Sequence, residues 1–165
     1  MMMTMITLFI SIAMMINAQQ PCGKQDTYEV LNFDDFVVPV PIGVARLQQP
    51  YHYFYFAEST MEYIDALNCD NPWFPDVQNK SGSQPNVLYT PPNEDFKVRH
   101  YDNRPFTLLS LKLISPLVTN MRVFVNTTKI GGQQQSSQLI VLPLNQVVTV
   151  SVNQSRIIAF SVSCV

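Results

Sequence analysis

The chain has 165 residues, 47% of them hydrophobic and only 13% charged, with a net charge of −2. That length supports one domain with a real core rather than two. The weak net charge argues against a nucleic-acid binder held by phosphate contacts, and the ordinary apolar share argues against disorder.

Residues 1–18 hold six of the eight Met and no charged side chain. Met5 to Ile16 is apolar apart from Thr7 and Ser11, too short to span a bilayer comfortably. The stretch ends in Ile16-Asn17-Ala18. It reads as a secretory signal peptide cut between Ala18 and Gln19. No Lys or Arg precedes the apolar run, so a retained anchor is the alternative. After cleavage, residues 19–165 form a single secreted, extracellular domain of 147 residues. No later apolar stretch approaches 18 residues, so no membrane contact is expected after the signal is removed.

All 12 Pro and all five Gly follow residue 18, and they recur as punctuation that leaves little room for helices. The short runs between them are rich in Val, Ile, Leu, Phe and Tyr. Strands are expected at 27–33, 51–56, 85–90, 106–114, 119–125, 137–142, 146–152 and 156–163. Alternation predicts which side chains share a face. Leu109, Leu111 and Leu113 oppose Ser110 and Lys112. Met121, Val123 and Val125 oppose Arg122 and Phe124. Val148, Val150 and Val152 oppose Thr149 and Ser151, and Ile158, Phe160 and Val162 oppose Ala159 and Ser161. Strands with one apolar and one polar face imply an all-β fold, an antiparallel β-sandwich or jelly roll. The stretch 57–84 is long for a structureless loop. A short helix over 58–67, capped by Ser59 or Thr60, is expected within it.

Three Asn-x-Ser/Thr sequons, at Asn79, Asn126 and Asn153, fall at expected turns and mark N-glycosylation sites of a secreted glycoprotein. Such triplets also arise by chance in Asn- and Ser-rich chains. Charge is unevenly placed. Residues 19–102 carry 12 acids and five bases, a balance of −7. Residues 103–165 carry five bases and no acid, a balance of +5, and the two give −2 together. Mutual pairing between strands from the two halves is the simple reading.

The sequence holds no G-x-S-x-G turn, no H-E-x-x-H, no Gly-rich phosphate loop and no Cys-x-x-Cys. His52 and His100 are the two histidines, each beside aromatic residues. No enzymatic activity and no cofactor are expected. Tyr51, Tyr53 and Tyr55 alternate with His52, Phe54 and Phe56. If Phe54 and Phe56 point inward, the three Tyr form an exposed ladder suited to stacking on sugar faces. Otherwise both faces of this strand are covered. Trp73, between Pro72 and Phe74-Pro75, is a second candidate platform or a loop anchor.

A pattern runs through residues 30–163. Asn32-Phe33-Asp34-Asp35-Phe36 leads to Pro39-Val40-Pro41-Ile42-Gly43, then Leu47 and Tyr53-Phe54-Tyr55. Ser81-Gly82-Ser83 with Asn86-Val87-Leu88-Tyr89, then Phe106-Thr107-Leu108-Leu109-Ser110-Leu111, then Arg156-Ile157-Ile158-Ala159-Phe160-Ser161 complete it. This resembles small secreted β-sandwich proteins related to the galactose-binding-domain jelly rolls found in carbohydrate-binding modules. Val44, Arg46 and Gln49 stand where that group carries Tyr, Gly and Trp. The resemblance implies a jelly-roll topology and a glycan ligand. It also implies a structural Ca²⁺ near Asp34 and Asp35, although the last strand supplies no acid; a plain turn is the other reading of that pair. The mature chain has three Cys, which allow one intrachain bridge, and sequence alone does not choose among the pairings. In jelly rolls of this kind the terminal strands run side by side, which implies a Cys22–Cys164 disulfide; Cys22–Cys69 is the alternative.

Two functions follow as expectations. The first is a secreted, non-catalytic glycan-binding, lectin-like module. The second, favoured by the missing aromatics at 44–49, is an extracellular structural or protein-interaction domain with no sugar site.

Overall fold

The computed structural model describes residues 8–11, 31, 44–56, 62–65, 86–90, 95–115, 118–131 and 134–165. Among these the chain is all-β, with no helix. The strands are β1 (Leu8–Ser11), β2 (Val44–Arg46), β3 (Phe54–Phe56), β4 (Glu62–Asp65) and β5 (Asn86–Thr90). They continue with β6 (Phe96–His100), β7 (Phe106–Ile114), β8 (Met121–Lys129), β9 (Gln134–Leu142) and β10 (Val147–Cys164). All the pairings between these strands are antiparallel. The order is β2-β4-β5-β1-β7-β10-β6-β3, with β8 also on β10 and β9 on β8. This is consistent with a β-sandwich.

The alternation written in the sequence reappears as burial. In β8, Met121, Val123, Val125 and Thr127 are buried, while Arg122 is exposed and Phe124 and Asn126 are half-buried. In β6, Phe96, Val98 and His100 are buried and Lys97 and Arg99 are exposed. One aromatic cluster joins the strands: Phe54 lies edge-on to Phe106 at 5.1 Å, Phe96 lies 5.9 Å from Phe160, and Phe106 lies 6.5 Å from Phe160. The buried hydroxyls are satisfied. Thr127 Oγ1 shares a 2.9 Å hydrogen bond with Ser136 Oγ, and Ser115 Oγ donates to the Val118 carbonyl at 2.7 Å.

β10 organises the sheet. The pair expected at 146–152 and 156–163 is one strand of 18 residues. Val147–Ile157 pairs with β7, Ile157–Cys164 pairs with β8, and Ala159–Val162 also pairs with β6. Its register against β7 shifts between Ser151 and Gln154 and again between Gln154 and Ile157. Asn153 (φ 50°) and Arg156 (φ 56°) sit at these shifts in the left-handed region. An extra residue on one strand bends it and raises its twist. Hence the Asn153 sequon forms a bulge, not a turn, with Asn153 exposed. Asn126 is no turn either: its Cα pairs with Ser137 of β9 and Ser161 of β10. Bulges also move the buried face. Ile157, not Ile158, is buried with Phe160 and Val162, and Leu109 drops out of the row formed by Leu111 and Leu113.

The helix expected over 58–67 is corrected. Glu62–Asp65 is β4, paired with β2 and β5, with Tyr63 opposite Leu88 and Ile64 opposite Val87. Tyr and Ile suit strands, and the partner strands outweigh a local cap signal. β1 lies inside the stretch expected to be cleaved. It pairs with β5 on one side and β7 on the other. An apolar Leu-Phe-Ile run suits a central strand as well as a signal core. Of the strand expected at 27–33, Leu31 is described, and it is fully buried.

Candidate functional site

The site forms where β3 and β6 meet. Phe54, Tyr55 and Phe56 pair with His100, Arg99 and Val98. Phe54 and Phe56 face the core, as an exposed Tyr ladder requires. The ladder itself is broken by a turn. Tyr51 and Phe54 exchange backbone hydrogen bonds, Tyr51 N–H to Phe54 O at 2.9 Å and Phe54 N–H to Tyr51 O at 2.8 Å. His52 (φ 44°) and Tyr53 (φ 70°) between them are both left-handed. Two positive φ values in a two-residue loop suit the right-handed twist of a hairpin, and Asn-Gly is the usual pair there. The turn breaks the strand's period. Tyr51 is buried in the core, Tyr53 is thrown outward at 64% exposure, and Tyr55 is half-buried.

Tyr53 has new neighbours instead. Its carbonyl accepts the Tyr101 N–H at 2.8 Å, extending the β3–β6 ladder. Its ring meets the Tyr101 ring at 5.9 Å and lies parallel to the His100 ring at 6.4 Å. Tyr101 is also exposed, at 43%. Alternation along β6 puts Lys97, Arg99 and Tyr101 on the outward side. The Arg99 guanidinium lies over the Tyr55 ring at 4.9 Å. The outer face of β3 and β6 is therefore a strip of aromatic rings and cations.

A polar corner closes one end. His100 is buried, packed edge-on against Phe54 at 5.2 Å. Its Nδ1 lies against the Asp102 carboxylate, and the Asp102 backbone N–H points at the same nitrogen at 3.4 Å. Asp102 also accepts the Arg104 backbone N–H at 3.2 Å and Arg104 Nε at 2.6 Å. The chain turns there by a bond from Asn103 N–H to the His100 carbonyl at 3.1 Å, with Asn103 at φ 59°. Asn tolerates that conformation well, whereas Tyr53 does not. The arrangement offers flat apolar surface for stacking and exposed guanidinium groups for hydrogen bonding.

Sequence reading found Tyr53 and Tyr55 but missed Arg99, Tyr101, Asp102 and Arg104. The signal was present. Phe96-Lys97-Val98-Arg99-His100 alternates without a break, and Asp102-Asn103 is turn chemistry. Asp34, Asp35, Trp73 and Asn79, the Ala18–Gln19 bond, Cys22 and Cys69 lie outside the described residues. Among the described residues no group of three or more His, Cys, Asp or Glu comes together.

Cys164 carries a free thiol in this structure, and Cys22, its expected partner, lies outside the described residues. Cys164 is half-buried at the end of β10, opposite Val123 of β8. Burial first, and the Asp95 carboxylate second, push its pKa above the ordinary thiol value. Less thiolate forms at mildly alkaline pH than in an unfolded chain. Iodoacetamide at pH 8 without reductant is expected to label Cys164 slowly in native protein and quickly in denaturant. A disulfide-linked peptide containing Cys164, or equal rates in both states, would contradict this.

Comparison with known proteins finds no matching family model, no matching curated sequence and no matching solved structure.

Proposed function

We propose that this chain is a secreted, non-catalytic glycan-binding module that uses the outer face of β3 and β6. One observation carries the reading: Tyr53 occupies a left-handed turn position that disfavours it and leaves its ring in water. A fold that needed only the turn would be served better by Gly or Asn. Backbone strain of this kind, of order 1–3 kcal/mol, concentrates at functional positions. Tyr101 beside it enlarges the surface, and Asp102 and Arg104 bring polar groups to its edge. The resemblance to galactose-binding jelly rolls and the antiparallel all-β architecture support the same reading, as does the signal-like composition of residues 1–18. Trp73 remains a second platform under this proposal.

A second reading is an extracellular protein-interaction domain. It is favoured by β9, which among the described strands pairs with β8 alone and exposes Leu139 and Val141. An open edge with apolar side chains suits strand addition by a partner.

The test is a broad glycan array probed with protein collected from medium, its N-terminus mapped by mass spectrometry. The expected result is a terminal peptide starting at Gln19 and array binding that Tyr53→Ala weakens about tenfold or more, by analogy with stacking on nucleobases. The variant's far-UV circular dichroism should be unchanged. Protein that binds no glycan overturns the function, and a terminal peptide starting at Met1 overturns the processing.

A further inference from the structure

The hydrogen-bonding capacity left open at this site is dominated by exposed donors. Asp102 is the carboxylate that would ordinarily hold the hydroxyls of a neutral sugar. It already lies against His100 Nδ1 and accepts from the Arg104 backbone N–H and from Arg104 Nε. The terminal nitrogens of Arg104 have no partner among the described residues, and that side chain is 70% exposed. The Arg99 guanidinium is exposed and rests on the Tyr55 ring without an acceptor among the described residues. Lys97 is further along the same side of β6, touching exposed Asp95 at 3.8 Å, a contact that solvent makes weak.

Neutral hydroxyls both donate and accept, so they use a donor-rich site only in part. A carboxylate accepts at two coplanar oxygens, which matches the planar fork of a guanidinium. Spacing agrees as well. Lys97, Arg99 and Tyr101 alternate along about 13 Å of strand, so the strip extends beyond a single point contact. The local balance is three cations, Lys97, Arg99 and Arg104, against Asp95 and Asp102. From residue 103 onward the chain carries bases and no acid.

We infer that this face takes a carboxylated glycan, with Tyr53 and Tyr101 stacking on sugar faces and Arg99 and Arg104 holding the carboxylates. The inference rests on the glycan-binding reading and specifies its ligand class.

The experiment measures binding of the full secreted protein to polygalacturonate, to the same polymer fully methyl-esterified, and to dextran sulfate. The expected result is at least about tenfold tighter binding to polygalacturonate than to the ester. Arg104→Gln and Arg99→Gln should each weaken polygalacturonate binding about tenfold. Arg122→Gln, on β8, should change nothing. Equal binding to acid and ester overturns the carboxylate assignment and leaves glycan binding standing. Binding to dextran sulfate as tight as to polygalacturonate, indifferent to Tyr53→Ala and lost with salt, overturns it in favour of bare charge attraction. Binding to none of the three, with an empty array, overturns both readings.

Discussion

Phe160→Ala is expected to cost about 3–5 kcal/mol of folding stability, a large share of what holds a domain of this size together. Phe160 is 1% exposed. It sits on β10 where that strand has partners on both edges, Val98 of β6 and Thr127 of β8. Its ring is the meeting point of Phe96 and Phe106, and Phe106 in turn packs on Phe54 beneath the candidate site. Removing it opens a cavity that three strands cannot close without giving up ladder hydrogen bonds. Phe124→Ala is the control. That ring is on the outward side of β8 and only half-buried, so its loss should cost about 1 kcal/mol or less. Urea unfolding of both variants measures the difference. A Phe160 variant within about 1 kcal/mol of the parent would mean that β10 does not organise the core as described.

Phe160 also shows which parts of the fold were legible. Its burial follows from alternation alone, as does that of Met121, Val123 and Val125. A two-residue period is a local property that any half-buried strand writes into its sequence. Bulges are not local in that sense. Ile157 and Ile158 are adjacent and chemically identical, and only the register shifts around Asn153 and Arg156 decide which one is buried. The 58–67 stretch fails for the same reason. Its capping residues are a helix signal, and the competing signal is a partner strand more than twenty residues away at Asn86–Thr90. The candidate site divides likewise. Tyr53 and Tyr55 stood out as aromatic residues in a row. The turn that separates them from Tyr51 was hidden, because His-Tyr carries none of the Gly or Asn that normally marks two positive φ values. Arg104 enters only through Asp102, a contact made after the chain has turned.

That unmarked turn yields a reversal of a familiar order. In a strand, Gly is less stable than Ala by about 0.5–1 kcal/mol, because it loses more backbone freedom on folding. At position 53 the order should invert. Tyr53 is held at φ 70°, where a Cβ crowds the neighbouring carbonyl at a cost of about 1–2 kcal/mol. Tyr53→Ala keeps that cost and gives up ring contacts with His100 and Tyr101, so it should lose about 0.5–1.5 kcal/mol. Tyr53→Gly gives up the same contacts but relieves the strain. It should therefore fold about 1 kcal/mol more stably than the Ala variant and close to the parent. Both variants should lose glycan affinity about equally, because both lack the ring. Stability and binding are thus expected to separate: Gly restores the first and not the second. Thermal or urea unfolding, run beside glycan titration on the three proteins, reads both quantities. An Ala variant as stable as the Gly variant would remove the strain from the argument. A Gly variant that still binds would move the ligand surface away from Tyr53.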